Sequence, residues 1–391
     1  MKFWTDVIPD YAWSIIFLVI IFVINLFGAK AWGEAEYWFS LIKILLVLVF
    51  LIVGCLTAGG VIGGEVYGFK YWSNPGAFSN GVLGVINALV LAALTMTGVD
   101  IVGISAGESK NPAVAIPKAV KNVFYRIVFI YMFTVFVMGL VIPYNDPHNF
   151  ASGSRDVSVS PFTLVFEKAG LHQASHVVNA AILVTLISCG NSSLYVTART
   201  LVALSKEGVL PKKLGYTTKN GVPIYALICA SIVGIICFVT SFVPGDVLFL
   251  VLCDIGGITG LLTWFAIAVA QLRFRKAFIV QGHQLSELPY VSPWFPYTNY
   301  YVMVGCVVII LLSGWKYFVP PSAQGLIGSY GAPIIFIIGI VFHKFWSGSK
   351  MVKLDEADIT TGAKPWNPDD HIQKPSSKGK NIFKKILDFF I

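Results

Sequence analysis

Apolar residues run in long blocks along this chain, separated by short polar stretches. A helix that crosses a bilayer needs about 20 mostly apolar residues. Nine blocks approach or exceed that length: Tyr11–Phe27, Trp38–Leu56, Gly81–Ile104, Val123–Pro143, Val177–Leu204, Val222–Phe242, Val247–Gln271, Tyr300–Trp315 and Leu326–Trp346. They predict an all-α integral membrane protein with nine transmembrane helices. The fifth and seventh blocks are long and carry glycines, so a tilt or a break is expected there.

Composition points the same way. Of 391 residues, 56% are hydrophobic and 12% are charged, against about 25% charged in a soluble domain. Mean hydropathy is +0.75. So little polar surface could not cover so much apolar side chain in water; the implied partner is a lipid bilayer. The net charge of +8 does not point to nucleic acid, because the Lys and Arg fall between the apolar blocks and form no nucleic-acid-binding signature. They read as topology signals.

One set of alternate loops holds thirteen basic residues, including Lys118, Lys121, Arg126, Arg199, Lys212, Arg273 and Arg275, and the other set holds five. The positive-inside rule then places the N-terminus outside the cell membrane and the C-terminal tail in the cytoplasm. The first block is preceded by Asp6 and Asp10 and followed by no small-residue cleavage site, so it is expected to stay as a spanning helix. Residues 1–346 form the transmembrane domain and 347–391 the tail. Within the tail, Lys350–Lys380 is polar and reads as mostly disordered. Asn381–Ile391, with Phe383, Leu387 and Phe390, fits a short interfacial helix about as well as a frayed end.

Cys55, Cys189, Cys229, Cys237, Cys253 and Cys306 all lie within apolar blocks without metal-site or disulfide spacing; they are expected to be buried and inert. No nucleophile–base set, metal set or phosphate loop occurs, so neither an enzyme nor a cofactor is expected.

In lipid the informative side chains are the polar ones. A charge at the centre of a spanning helix costs about 2.5–3.5 kcal/mol on insertion scales. Lys43 lies about two turns into the second block; a lysine there either snorkels to the headgroups or holds a proton, and the residues alone leave both readings level. Asp100 lies among Thr97, Gly98, Val99, Gly103 and Ser105, a stretch of small and polar residues where a helix is able to unwind. Broken helices expose backbone dipoles at the midplane of many secondary transporters; the rival reading is a small-residue packing face with one paired acid. Asp254, before Gly256, Gly257 and Gly260, reads chiefly as helix packing. Ser188, Asn191, Ser192 and Ser193 either glue helices or line a cavity. Glu108, beside Lys110, reads first as a solvated pair at a helix mouth.

Four stretches resemble the amino acid–polyamine–organocation superfamily, and most closely its bacterial lysine-specific permeases. Gly98–Val120 (GVDIVGISAGESKNPAVAIPKAV) is similar to the signature of the family's sixth helix and the loop after it. Glu34–Lys43 (EAEYWFSLIK) resembles the start of the fifth helix, Gly190–Pro223 the eighth helix and its loop, and Arg273–Pro296 the loop after the tenth. The family has twelve helices, ten of them in two inverted five-helix repeats, so the nine blocks correspond to helices 4–12 and the first three would be absent. The charge-derived topology agrees, since a fourth helix enters from outside.

The resemblance implies roles. Thr97, Gly98 and Val99 match an unwound segment that contacts the substrate's amino group and side chain. Asp100 stands where lysine permeases usually carry Glu, one methylene longer. Lys43 matches a lysine that replaces a sodium ion in proton-coupled members, Ser192 and Ser193 match the helix facing that ion position, and Glu108 matches an acid that would act as a gate. The implied function is proton-coupled uptake of lysine or another cationic amino acid, with the amino acid and protons as partners. The rival expectations are a truncated remnant that does not transport and a membrane amino-acid sensor.

Overall fold

The computed structural model describes residues 8–96, 98–104, 112–146, 160–237, 247–288, 290–292, 294–318, 321–348 and 350–359. Helices stand at all nine apolar blocks. They are α1 (Asp10–Leu26), α2 (Gly28–Ala58), α3 (Gly81–Thr95), α4 (Ile101–Ile104), α5 (Pro112–Arg126), α6 (Met132–Val141), α7 (Pro161–Lys168), α8 (His172–Lys206), α9 (Ile224–Cys237), α10 (Val247–Val280), α11 (Tyr297–Ser313) and α12 (Ala323–Ser347). A wider helical turn, Ile127–Tyr131, joins α5 to α6. Among the described residues six helices are long and apolar enough to cross a membrane, while Tyr11–Leu26, Gly81–Thr95 and Ile224–Ile236 are apolar but shorter.

The third block divides where its sequence suggested. α3 ends with Met96 N–H on Ala92 O (3.1 Å), and the chain turns at Gly98, whose φ of +98° is open to glycine and strained for other residues. Helical bonding resumes with Ile101 N–H on Gly98 O and Gly103 N–H on Asp100 O. The fifth and seventh blocks differ from expectation. α8 and α10 run unbroken for 35 and 34 residues, about 50 Å each at 1.5 Å per residue, so they overshoot a hydrocarbon core of about 30 Å. Gly190 sits against Ile21 and Gly257 against Leu94, while Gly256 faces open space, and both helices run on through these glycines.

The chain divides into two units, residues 1–79 with 122–244 and residues 80–121 with 245–379. In the first unit α2 packs on α6, α7 and α8, and α8 packs on α1 and α9. Phe50, Val137, Val141, Val165, Phe166 and Val178 form one buried cluster there, and Ile21, Leu194, Ala198, Ala226 and Leu227 another. Helices in lipid gain nothing by leaving water, so fit matters most. Gly54 shows this: a Cβ there would lie 2.5 Å from Val137 Cγ1, so the missing side chain sets the approach of α2 to α6. α7 starts cleanly because Ser160 Oγ accepts from Phe162 N–H (3.3 Å) with Pro161 in the first turn. In the second unit α10 packs on α3, α11 and α12. Asn299 ties α11 to α10 by donating to Ala268 O (3.1 Å) and Gln271 Oε1 (2.8 Å).

Many large apolar side chains, among them Leu91, Val135, Val177 and Ile335, are exposed. Water would reject such a surface and lipid accepts it. The same solvent corrects the cysteine expectation. Cys306 is buried, whereas Cys55, Cys189 and Cys253 are exposed free thiols, because an outward-facing apolar position is a comfortable place for sulfur in lipid. The side chain of Cys237 lies outside the described residues. The first stretch of the tail is tied to the end of α10: Arg273 donates to Val352 O (2.6 Å), and Gln281 Nε2 to Leu354 O (3.0 Å) and Ala357 O (2.7 Å); residues 360–380 lie outside the described residues. Asn381–Ile391 lies outside the described residues.

Candidate functional site

The polar side chains of the first unit converge on a residue that the sequence reading passed over, Glu36. Its Oε1 accepts from Ser192 Oγ (2.9 Å) and Asn191 Nδ2 (3.2 Å), and its Oε2 accepts from Ser188 Oγ (2.7 Å). Ser188 Oγ in turn accepts from Lys43 Nζ at 2.5 Å. Lys43 Nζ stands 3.9 Å from Glu36 Oε2, an ion pair without a direct hydrogen bond. Asn25 of α1 completes the cluster, donating to Asn191 Oδ1 (2.9 Å) and Ile21 O (2.9 Å). Ser188 and Asn191 are fully buried.

Helical spacing builds this cluster. Glu36 and Lys43 are seven residues apart, two turns along one face of α2. Ser188, Asn191 and Ser192 follow the i, i+3, i+4 spacing of one face of α8. Trp32, one turn before Glu36, lies flat on Tyr195 of α8 with ring centroids 3.9 Å apart and planes within 7°, which fixes the two helices in register.

Of the residues singled out beforehand, Lys43, Ser188, Asn191 and Ser192 enter the cluster. Ser193 is exposed, one position round α8, and its carbonyl accepts from Thr197. Gly98 forms the left-handed turn in the second unit, Val99 is exposed beside it, and Asp100 is half-buried at the start of α4. Thr97 and Glu108 lie outside the described residues. Asp254 sits in α10 against Gly328 of α12. Asn25 and Glu36 were missed, although an acid one heptad before an intramembrane lysine is a readable signal.

Lys43 also lines a half-open cavity of about 460 Å³ in the first unit, walled by Val47, Leu51, Ile130 and Met138 with Arg126 and Thr134. Thr134 Oγ1 and Arg126 Nε are buried without a hydrogen-bond partner. Among the described residues no group of His, Cys, Asp or Glu is arranged to hold a metal ion.

Apolar helices of spanning length, a lipid-type surface and a charged cluster between helices define a multi-pass membrane transporter. The chain belongs to the amino acid permease family, whose pattern it matches over residues 1–356. It is 37% identical over 358 residues to the lysine-specific permease LysP of Escherichia coli strain K12, covering 90% of this chain and 72% of the relative. It is 35% identical over 369 residues to LysP of Lactococcus lactis subsp. cremoris (92% and 72% covered). To the histidine permease HisP of the same organism it is 37% identical over 370 residues (92% and 75% covered). It is a transporter and not an enzyme.

Proposed function

We propose that this chain takes up lysine or another cationic amino acid, coupled to protons. Its helices would correspond to nine of the family's twelve, the fourth to the twelfth, with the N-terminus outside and the tail in the cytoplasm. Gly98, Val99 and Asp100, with Thr97, contact the substrate, and Asp100 supplies the charge that meets a cationic side chain. Glu108 serves as a gate. Lys43 binds and releases the coupling proton, with Ser192 lining that position and Ser193 next to it on an adjoining face of α8. Two relatives named as lysine-specific permeases support the substrate class.

The single observation that carries the coupling is the Lys43–Ser188–Glu36 chain of 2.5 and 2.7 Å contacts. A lysine that only snorkelled would point its ammonium to the headgroups. Here it points to a hydroxyl and a carboxylate between helices, where a change of protonation alters how the helices are held together.

The test is uptake of labelled lysine by this chain in a transport-deficient host, with a pH gradient imposed and then collapsed. Accumulation that follows the gradient is the expected result. Lysine binding without gradient-dependent accumulation overturns it and identifies a sensor.

A further inference from the structure

Glu36 has no part in the reading above, yet it receives more polar contacts than any other side chain of the cluster. We infer that Glu36 is the acceptor of the Lys43 proton and that Ser188 is the bridge through which the proton passes; this rests on Lys43 being the proton-binding group.

The step balances within the three side chains. A Lys43 N–H bond breaks as its proton goes to Ser188 Oγ, and the Ser188 O–H bond breaks as that proton goes to Glu36 Oε2. The ammonium becomes an amine, the carboxylate becomes a carboxylic acid, and the hydroxyl is regenerated. Nothing is oxidised or reduced and no further reactant is needed. The bridge is required, because the direct 3.9 Å separation is too long for a hydrogen bond, whereas both legs through Ser188 are within range.

Asn191 and Ser192 donate to Oε1 and hold the carboxylate in place, which leaves Oε2 facing Ser188. The hydrogen bonding is satisfied in both states. After transfer Glu36 Oε2–H donates back to Ser188 Oγ, the Ser188 hydroxyl turns to donate to the neutral Lys43 nitrogen, and Oε1 still accepts from Asn191 and Ser192.

The other groups around Lys43 are poor receivers. α8 brings Ser188, Asn191 and Ser192, and α1 brings Asn25. α7 brings Phe162, and α6 brings Thr134 and Met138. Across the cavity stand Arg126 and Tyr131. The Arg126 guanidinium has donors and no acceptor, and Tyr131 offers a phenol and no carboxylate. Among the described residues, Glu36 is the carboxylate within ion-pair distance of Lys43.

The experiment uses the full chain in proteoliposomes with Ser188→Ala, Ser188→Thr, Glu36→Gln and Lys43→Ala. Each is assayed for gradient-driven lysine accumulation across pH and for lysine–lysine exchange without a gradient. Infrared difference spectra are recorded with carboxyl-labelled glutamate. The expected result is loss of gradient-driven accumulation with exchange retained in Ser188→Ala and Glu36→Gln, recovery in Ser188→Thr, and a protonated-carboxyl band that Glu36→Gln removes. If Ser188→Ala keeps the wild-type pH profile and the band survives Glu36→Gln, the inference is wrong while the Lys43 reading stands. If Lys43→Ala itself remains coupled, the Lys43 reading falls first. Should Glu36→Gln fail to fold, Ser188→Ala decides, since it removes the bridge and leaves both charges in place: an unchanged pH profile in that variant overturns the relay.

Discussion

Removing the Lys43 ammonium strands the Glu36 carboxylate between helices, and a double-variant cycle measures how much that matters. The two charges are 3.9 Å apart, with Glu36 16% exposed and Lys43 35% exposed. At that separation their attraction is about 1 kcal/mol in water and about 4 kcal/mol at an effective dielectric near 20. The partial exposure of Lys43 places the pair between these bounds, at about 2 kcal/mol. Lys43→Ala is expected to destabilise the purified protein by at least that amount, since Ser188 also loses its charged donor. Glu36→Gln in the same background replaces the stranded charge with a neutral amide of the same size. The double variant is therefore expected to be more stable than Lys43→Ala alone, with a coupling of about 1–3 kcal/mol. Thermal unfolding in detergent, followed by size-exclusion fluorescence, ranks the four proteins. Additive losses in the double variant would refute the pairing and return Lys43 to the headgroups.

Three further outcomes follow from other parts of the fold. Gly98→Ala meets only an ordinary contact, 3.7 Å from Ile101 Cδ1, so its cost is the left-handed backbone, about 1–2 kcal/mol; unchanged thermal stability would mean that the turn at Gly98 is not needed. Gln281→Ala removes two hydrogen bonds to the tail and is expected to speed limited proteolysis near residues 351–357 without altering the melting temperature; an unchanged cleavage rate would show that Arg273 alone holds the tail. Glu287 caps the turn after α10 by accepting from Gln284 N–H and pairing with His283, and these contacts hold its carboxyl below the ordinary range. Its contribution is in full force above the ordinary glutamate value, about 4.3, and is lost as pH falls through the lowered folded value; amide exchange at Gln284 should speed up only in that acid window, and a rate flat across it would exclude the cap.

Hydropathy was enough to put a helix at each apolar block, because lipid makes a long apolar block nearly unambiguous, but α7 and most of α5 lie outside the blocks. It was not enough to find where the helices end. The second block was begun at Trp38, on the first unbroken apolar residues, while α2 runs back to Gly28 through polar residues that are good helix formers. That difference of about three turns left Glu36 outside the apolar block, although Glu34–Lys43 resembled the start of a helix. Helical phase explains the next miss. Ser192 and Ser193 are chemically identical, and 100° of rotation separates the cluster from the exposed face. Knowing that α2 lies beside α8 is what selects between them, and that pairing is tertiary information. The attachment of residues 352–357 was not legible either: it comes from capture of their carbonyls by Arg273 and Gln281, which composition does not encode.

The Lys43 cluster is complete within one unit, its donors and acceptors coming from α1, α2 and α8, whereas Gly98 and Asp100 belong to the other. If the first holds the proton and the second meets the substrate, coupling and recognition are separable by mutation. Asp100→Asn keeps the size of the side chain and removes its charge. It is expected to weaken uptake of lysine more than uptake of neutral amino acids while the pH dependence stays in place. Lys43→Ala is expected to do the reverse, flattening the pH dependence while the ranking of substrates is kept. Competition assays at two pH values on both variants give the answer. Equal loss of lysine and neutral substrates in Asp100→Asn would remove Asp100 from side-chain recognition. A changed substrate ranking in Lys43→Ala would mean that one set of residues performs both tasks, because a charge that only binds a proton has no means of telling one amino acid from another.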